Sequence, residues 1–130
     1  MDATDVIELC VAARVESIAV VRAVAADVAG RVGFGFDALL DVRMAADEVC
    51  AEVVRVADPE QMMRVAFGFG DGKLWVTVSA RINRDHGRID TSGFGWRVLG
   101  ALTDELHAEY TSGPSHEEVL VRLAKKDPGR

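Results

Sequence analysis

The segment DALLDVRMAADEVCAEVVRVA, residues 37–57, carries the clearest periodic signal in this sequence. Its apolar residues recur every three or four positions, which is the spacing of one face of an α-helix. Asp37 stands at its start, where a short acidic side chain caps free amide groups, and Asp58-Pro59 ends the pattern. The segment therefore predicts a helix from Asp37 to about Ala57. Its buried face would be formed by Leu39, Val42, Ala46, Val49, Val53 and Val56.

The residues before this helix predict a strand and another helix. Val6 to Ala12 is mostly apolar and β-prone, as expected of a strand. Arg14 to about Val32 is rich in Ala and Val, has no proline and repeats apolar residues at helical spacing. Val20 and Val24 widen the apolar face of this helix, and Arg22 is an available cation beside it. A helix that is apolar on more than one side is typical of a surface that meets a partner.

The residues after the long helix predict a hairpin, a helix and two closing strands. Gly70-Asp71-Gly72 is rich in turn formers and joins two runs of alternating apolar residues, as in a β-hairpin. Apolar residues at helical spacing, up to Leu106, predict the helix, and the charged tail from Lys125 is expected to fray. The predicted ranges are strands at 61–69 and 74–80, a loop at 81–92, a helix at 95–108, and strands at 109–112 and 118–123.

These elements run in the order β-α-α-β-β-α-β-β within 130 residues, which fits a single domain over residues 1–130. Hairpin-linked strands whose helices all cover one face of the sheet form a two-layer α/β sandwich of the α+β type. The opposite face of the sheet is then partly solvated or covered by a partner.

Composition and charge exclude several classes of protein. The chain carries 21 acidic and 15 basic side chains, a net charge of −6, and a field of that sign repels phosphate backbones, so we expect no direct binding of nucleic acid. Cys10 and Cys50 match neither a disulfide framework nor a metal cluster and are predicted to be small buried residues. The sequence has no signal-peptide pattern and no apolar stretch of transmembrane length. We therefore expect a cytoplasmic protein that does not bind membranes.

Two acidic residues of the long helix are candidates for chemistry. Glu48 and Glu52 are one turn apart and project to the same side. Such a pair suits a divalent cation, or one carboxylate can act as a general base. The alternative is a solvated face on which Glu52 pairs with Arg55.

Gly93-Phe94-Gly95 precedes the third predicted helix. Glycines allow a backbone to approach a phosphate, and a helix N-terminus supplies amide donors. A plain turn into a helix explains the same residues equally simply. The histidines His86, His107 and His116 show no ligand spacing and are expected at the surface.

The order and spacing of these motifs resemble a known family. Residues 43–57, RMAADEVCAEVVRVA, resemble the N-box helix of the RsbW-type anti-sigma factors, which are the serine-protein kinase branch of the GHKL or histidine kinase-like ATPases. Residues 92–106, SGFGWRVLGALTDEL, are similar to the second glycine box of that family and the helix after it. The similarity extends over nearly the whole chain and points to the actinobacterial members, whose ATP-site motifs are eroded. It implies the Bergerat fold of these ATPases.

The resemblance assigns roles to the candidate residues. Glu48 matches the helix glutamate that is the catalytic base of the family. Glu52 stands where an asparagine normally holds the Mg²⁺ that bridges the ATP phosphates, so it would be both a cofactor-binding residue and a metal ligand. Gly93 and Gly95 match the glycines that face the phosphates.

Several positions depart from the family pattern. The aspartate that recognises adenine is replaced by Ala80, and Ile82 stands where the first glycine box needs a glycine. Asp85 and Asp90 lie nearby but out of register, and Gly113 is not followed by the usual threonine. Losing a charge-assisted hydrogen bond costs about 1.5–3 kcal/mol, which is on the order of tenfold to more than a hundredfold in affinity. The sequence therefore predicts weak or lost binding of ATP and Mg²⁺.

The resemblance implies an anti-sigma factor that works in a stress response. Such a protein is a homodimer that sequesters an alternative sigma factor, and an anti-anti-sigma factor competes for it. A second candidate is an active ATP-dependent serine/threonine kinase that phosphorylates this antagonist. A non-catalytic interaction module on the same fold and a small-molecule sensor are the third and fourth candidates.

Overall fold

The computed structural model of the chain describes residues 7–129, and its elements follow the predicted order. Val6, which the prediction placed in the first strand, lies outside the described residues. Short 3₁₀ turns occupy Val15–Ser17 and Arg84–His86. The strands are β1 (Ile7–Ala12), β2 (Met62–Gly70), β3 (Lys73–Arg81), β4 (Glu105–Ser112) and β5 (Glu117–Lys126), and the helices are α1 (Ile18–Arg31), α2 (Phe36–Val56) and α3 (Phe94–Leu102).

The five strands form one antiparallel sheet in the order β1-β2-β3-β5-β4. The predicted hairpin joins β2 to β3, and its two central residues, Asp71 and Gly72, have φ angles of 54° and 73°. Positive φ at both positions matches the turn to the twist of the strands, which favours the Asp-Gly sequence found there. The hairpin fixes which side chains of β2 and β3 face the helices.

The core lies between the sheet and a layer of three helices, with α2 in the middle, in contact with α1, α3, β3 and β5. Leu39 of the predicted α2 face is half-buried and the other five residues are buried. The inner face of the sheet supplies large apolar side chains such as Phe67 and Leu74. The outer face is partly exposed, and there the cations of Lys73 and Arg122 flank the ring of Trp75. The two-layer α+β sandwich is confirmed.

The start of α2 differs from the prediction. The N-cap residue is Gly35, which is extended with φ −67° and ψ 169°, and Asp37 lies inside the first turn, so the predicted cap was wrong. The amide of Gly35 instead donates to the carboxylate of Asp127, 2.6 Å away. Asp37 still interacts favourably with the helix dipole from within the first turn.

The third helix is shorter than the sequence predicts. α3 ends at Leu102, and Leu106 lies in β4, opposite Leu123 of β5. The amide of Asp104 donates to the carbonyl of Ala124, 2.8 Å away, which starts the β4–β5 pairing. An apolar residue at position 106 fits both a helix face and an inward strand position, and pairing with β5 selects the strand.

The C-terminal residues are more ordered than the prediction of a frayed tail allowed. Lys125 and Lys126 belong to β5. The ammonium of Lys125 donates to the carboxylate of Asp41, 2.9 Å away, and so ties the end of the sheet to α2. The prediction was wrong for these two residues because β5 runs three residues past Leu123.

Two further predictions about single residues were wrong. Cys50 is buried as predicted, but Cys10 on β1 is exposed. Arg22 is not an available cation, since its Nε lies 3.0 Å from Oδ1 of Asp47 on α2. Val20 is 52% exposed, as its place beside the core stripe of α1 suggested. Among residues 7–129, no helix combines the length and apolar character needed to cross a bilayer.

Candidate functional site

The N-terminus of α3 packs against α2 and brings three of the four predicted site residues together, namely Glu48, Glu52 and Gly95. Glu48 and Glu52 of α2 both face Gly95, the second residue of α3. Gly93, the N-cap of α3, lies two residues earlier. We call the site formed by Glu48, Glu52, Gly93 and Gly95 the α2–α3 groove.

Gly95 is held very close to both carboxylates. A Cβ atom placed on this residue would lie 2.7 Å from Oε2 of Glu48 and would overlap Oε1 of Glu52. Close packing tolerates no such overlap without movement of the neighbours. A larger residue at position 95 would therefore force the carboxylates of Glu48 and Glu52 to move, independently of any phosphate.

Glu52 is the buried charged residue of the groove, with a relative exposure of 2%. The guanidinium of Arg55, one turn further along α2, donates a hydrogen bond to Oε2 of Glu52 and forms an ion pair with it. A buried carboxylate without a partner is strongly destabilising, so we expect removal of Arg55 to destabilise the local fold. The alternative of a solvated face was wrong for Glu52, but the Glu52–Arg55 pair that it proposed is present.

Glu48 is half-buried and remains accessible at the edge of the groove. Burial raises the pKa of its carboxyl, and the negative charges of Glu52 and Asp47 raise it further, against an opposing effect of Arg55. A carboxylate with a raised pKa is a better proton acceptor than an ordinary one at neutral pH. Glu48 is therefore the residue of the groove that is chemically suited to be a general base.

Gly93 does not face Glu48 or Glu52 directly but lies against Asp90. A Cβ atom on Gly93 would be 2.9 Å from Oδ2 of Asp90. Oδ1 of Asp90 accepts from the amide of Ser92 at 3.0 Å and from its hydroxyl at 2.7 Å. These bonds from Ser92 hold the pKa of Asp90 below its usual value. A carboxylate of the chain itself thus occupies the approach to the α3 N-terminus.

The region expected to receive adenine is packed with apolar side chains. Ala80, at the end of β3, is 2% exposed, and Ile82 is 6% exposed and pairs with Ala57 at the end of α2. Ile89 of the following loop is also buried. Ala80 and Ile82, two of the residues that depart from the family pattern, are therefore part of the hydrophobic core.

A polar cluster that the sequence did not reveal holds Ile89 in place. The hydroxyl of Tyr110 on β4 accepts from the amide of Ile89 at 3.0 Å, and the guanidinium of Arg88 stacks over the Tyr110 ring at 4.3 Å. Arg88 also pairs with Glu117 at 2.7 Å, and Glu117 accepts from the hydroxyl of Ser112 at 3.0 Å. These two partners, Ser112 first, lower the pKa of Glu117. We call Arg88, Tyr110, Ser112 and Glu117 the Tyr110 cluster.

The chain matches a known domain family. The sequence profile of the histidine kinase-like ATPase domain matches residues 11–125. This chain therefore belongs to the histidine kinase-like ATPase family.

The most informative relatives define the branch. The chain is 34% identical to the anti-sigma-F factor RsbW of Mycobacterium tuberculosis over 100 residues, which is 77% of this chain and 59% of that protein. It is also 34% identical to the serine-protein kinase RsbW of Bacillus cereus over 132 residues, covering 87% of this chain and 82% of the relative. The chain is thus a member of the RsbW group, and the resemblance inferred from residues 43–57 and 92–106 is confirmed.

Two solved structures share the fold at low sequence identity. One is the SiaB–SiaC complex of Pseudomonas aeruginosa, with a TM-score of 0.73, 13% identity and coverage of 91% of this chain and 89% of that one. The other contains the RsbU and RsbW domains of a Mycobacterium tuberculosis protein, with a TM-score of 0.71 and 20% identity, covering 95% of this chain and 32% of that chain.

The family implies a bound Mg²⁺–ATP, and the residues present do not fit it. The carboxylate oxygens of Glu48 and Glu52 lie where a Cβ atom on residue 95 would be, and Glu52 is paired with Arg55. Buried Ile82 also takes the place of a glycine on the adenine side.

Proposed function

We propose that this chain is an anti-sigma factor that sequesters an alternative sigma factor and releases it to an anti-anti-sigma factor. The observation that carries the proposal is the 34% identity, over 77% of the chain, to a protein named anti-sigma-F factor. The net charge of −6 supports it, since an acidic protein attracts a basic, DNA-binding partner. The same charge disfavours a direct role on nucleic acid.

We further propose that ATP binding is weak or lost, so that partner exchange does not depend on phosphorylation. The support is the packing of the groove. A nucleotide would have to separate Gly95 from Glu52, break the Glu52–Arg55 pair and displace the buried side chain of Ile89. Each step exposes apolar surface or a buried charge, and the cost is subtracted from the binding energy.

Active kinase chemistry is the second candidate, and Glu48 is the observation that favours it. Its raised pKa and accessible position suit a base that takes the proton from a serine or threonine hydroxyl. In that case Glu52 would hold Mg²⁺, and Gly93 and Gly95 would face the phosphates. Incubation of the chain with Mg²⁺–ATP and the purified antagonist, followed by intact-mass measurement, tests this: a gain of one phosphate that Glu48→Gln abolishes would establish the kinase.

The protein is proposed to act in the cytoplasm as a homodimer. The exposed Val20 on α1 and the outer edge of β1, the first strand of the sheet order, are surfaces that a second copy or a partner would cover. Sedimentation velocity over a range of concentrations distinguishes a dimer from a monomer.

The proposed anti-sigma function is tested by reconstitution with the partner. The tagged chain is purified from its source cells, associated proteins are identified by mass spectrometry, and a recovered sigma factor is then assayed in transcription with purified RNA polymerase. We expect the chain to lower transcription from promoters of that sigma factor, with no effect on the housekeeping one. Recovery of no sigma factor, or an unchanged transcript level with a folded chain, would favour the non-catalytic interaction module instead.

A further inference from the structure

The buried carboxylate of Glu52 needs a positive charge, and the chain supplies it locally. The Glu52 side chain is 2% exposed, whereas that of Arg55 is 62% exposed. The guanidinium therefore reaches the buried carboxylate from the solvent side. Removing a carboxylate from water is costly unless a cation and hydrogen bonds accompany it.

We propose that Arg55 takes the part of a divalent cation in the α2–α3 groove, so that the chain carries its own counter-charge for Glu52 and Glu48. The proposal deepens the proposed loss of nucleotide binding and concerns the same groove. It explains how a glutamate can occupy position 52, where the family resemblance implies an Mg²⁺-binding asparagine. A second carboxylate beside Glu48 is tolerated because the cation is built in.

The charge of Arg55 acts on more than one carboxylate. It opposes the rise in the pKa of Glu48, and it contributes to the low pKa of Asp90 in the segment before α3. Arg55 is thus one of several groups that influence these two carboxyls, and its direct contact is with Glu52. A guanidinium is suited to pair with a carboxylate because it combines a permanent positive charge with a fixed hydrogen-bond geometry.

The geometry also disfavours a metal ion in the presence of Arg55. Mg²⁺ demands octahedral oxygen ligands and keeps several waters. Oε2 of Glu52 is used by Arg55, and its Oε1 lies against Gly95. One of the two oxygens of Glu52 is therefore already paired with a cation.

The experiment measures amide hydrogen exchange across residues 84–95 and the melting temperature, in millimolar MgCl₂ and in NaCl of matched ionic strength. Wild type is expected to behave alike in both salts. In NaCl, Arg55→Gln should exchange its amide hydrogens at least about tenfold faster than wild type, because the buried charge of Glu52 is left unpaired. In MgCl₂ the variant should regain part of this lost protection. Arg55→Lys should stay close to wild type, and Arg43→Gln, which removes an exposed cation from the same helix, should have no effect.

The proposal would be overturned if Arg55→Gln were as well protected from hydrogen exchange as wild type, or if it lost the same protection in both salts. A saturable stabilisation of wild type by Mg²⁺ would also overturn it. If Arg55→Gln does not fold, the double variant Glu52→Gln/Arg55→Gln decides. Recovery of the fold without a response to Mg²⁺ supports charge compensation by Arg55, and a double variant that also fails to fold contradicts it. Sigma-factor binding is not part of these measurements, so the proposed function can stand or fall separately.

Discussion

Gly95 at the start of α3 lies in contact with the buried carboxylate of Glu52 on α2, with no room for a Cβ atom between them. This contact joins the two motifs through which the chain resembles nucleotide-binding relatives. The two motifs also have a structural role here, because Gly95 leaves room for the carboxylates of Glu48 and Glu52, and Arg55 neutralises Glu52. The groove is therefore a packed helix contact with an accessible edge at Glu48.

Gly95→Ala should destabilise the fold by about 1–3 kcal/mol, the usual cost of overpacking a tight contact. The matched control is Gly100→Ala in the same helix, where a Cβ atom would meet nothing within 4 Å. That change should be neutral or stabilise by up to about 1 kcal/mol, because alanine is the better helix former. Urea denaturation of both variants measures the difference, and equal effects at the two positions would contradict the close contact.

Glu48→Gln should stabilise the protein at pH 8 and lose that advantage in acid. The folded state raises the pKa of Glu48 above its ordinary value of 4.5, so the native protein binds a proton more tightly than the unfolded chain. Stability from this group is therefore present below the unfolded pKa and is lost as pH rises through the folded pKa.

Melting curves between pH 4 and pH 8 check this expectation, and the amide variant should melt about 1–3 °C above wild type at the alkaline end. If the melting temperatures of Glu48→Gln and wild type differed by the same amount at every pH, the surroundings would not raise the pKa of the Glu48 carboxyl.

The long helix and the hairpin were predictable because their signals are local. The three-to-four spacing from Leu39 to Val56 and the turn at Asp71-Gly72 depend only on neighbouring residues. The end of α3 was not predictable, because Leu106 fits a helix face and a strand equally well, and only its pairing with β5 selects the strand. Pairing with a distant strand decides between helix and strand in such segments, and this pairing leaves no local signal in the sequence.

Only part of the site was predictable from the sequence, because helical spacing is a local signal and packing between distant residues is not. Helical spacing places Glu48 and Glu52 on one side of α2, but it does not show that Glu52 is buried against Gly95. The Tyr110 cluster joins residues far apart in the chain, and a lone Ile89 in a polar loop was the signal that could have suggested it.

Tyr110→Phe should loosen the loop that contains Ile89. The change removes the hydroxyl that accepts from the amide of Ile89, and leaving that amide without a partner costs about 1 kcal/mol or somewhat more. Hydrogen exchange at residues 84–93 should accelerate while the core strands stay protected. Thr111→Ala, an exposed change on the same strand, is the control; equal exchange rates in Tyr110→Phe and wild type would rule out the proposed role of the hydroxyl.

The two thiols should react at very different rates in the native protein. Cys10 is exposed, whereas Cys50 is buried and its burial raises the pKa of the thiol to about 12. Because the thiolate is the reactive form, a thiol reagent at pH 8 should label one cysteine per chain rapidly and the second only after denaturation. Cys10→Ser should abolish the rapid phase, and rapid labelling that persists in that variant would contradict the buried position of Cys50.

The central claim is that the chain's own side chains occupy the groove in which relatives are expected to bind Mg²⁺–ATP. Isothermal titration of the purified protein with Mg²⁺–ATP tests it most directly. We predict no saturable heat up to millimolar nucleotide. Micromolar binding that disappears in Glu52→Ala would contradict the account and restore the groove as a working ATP site.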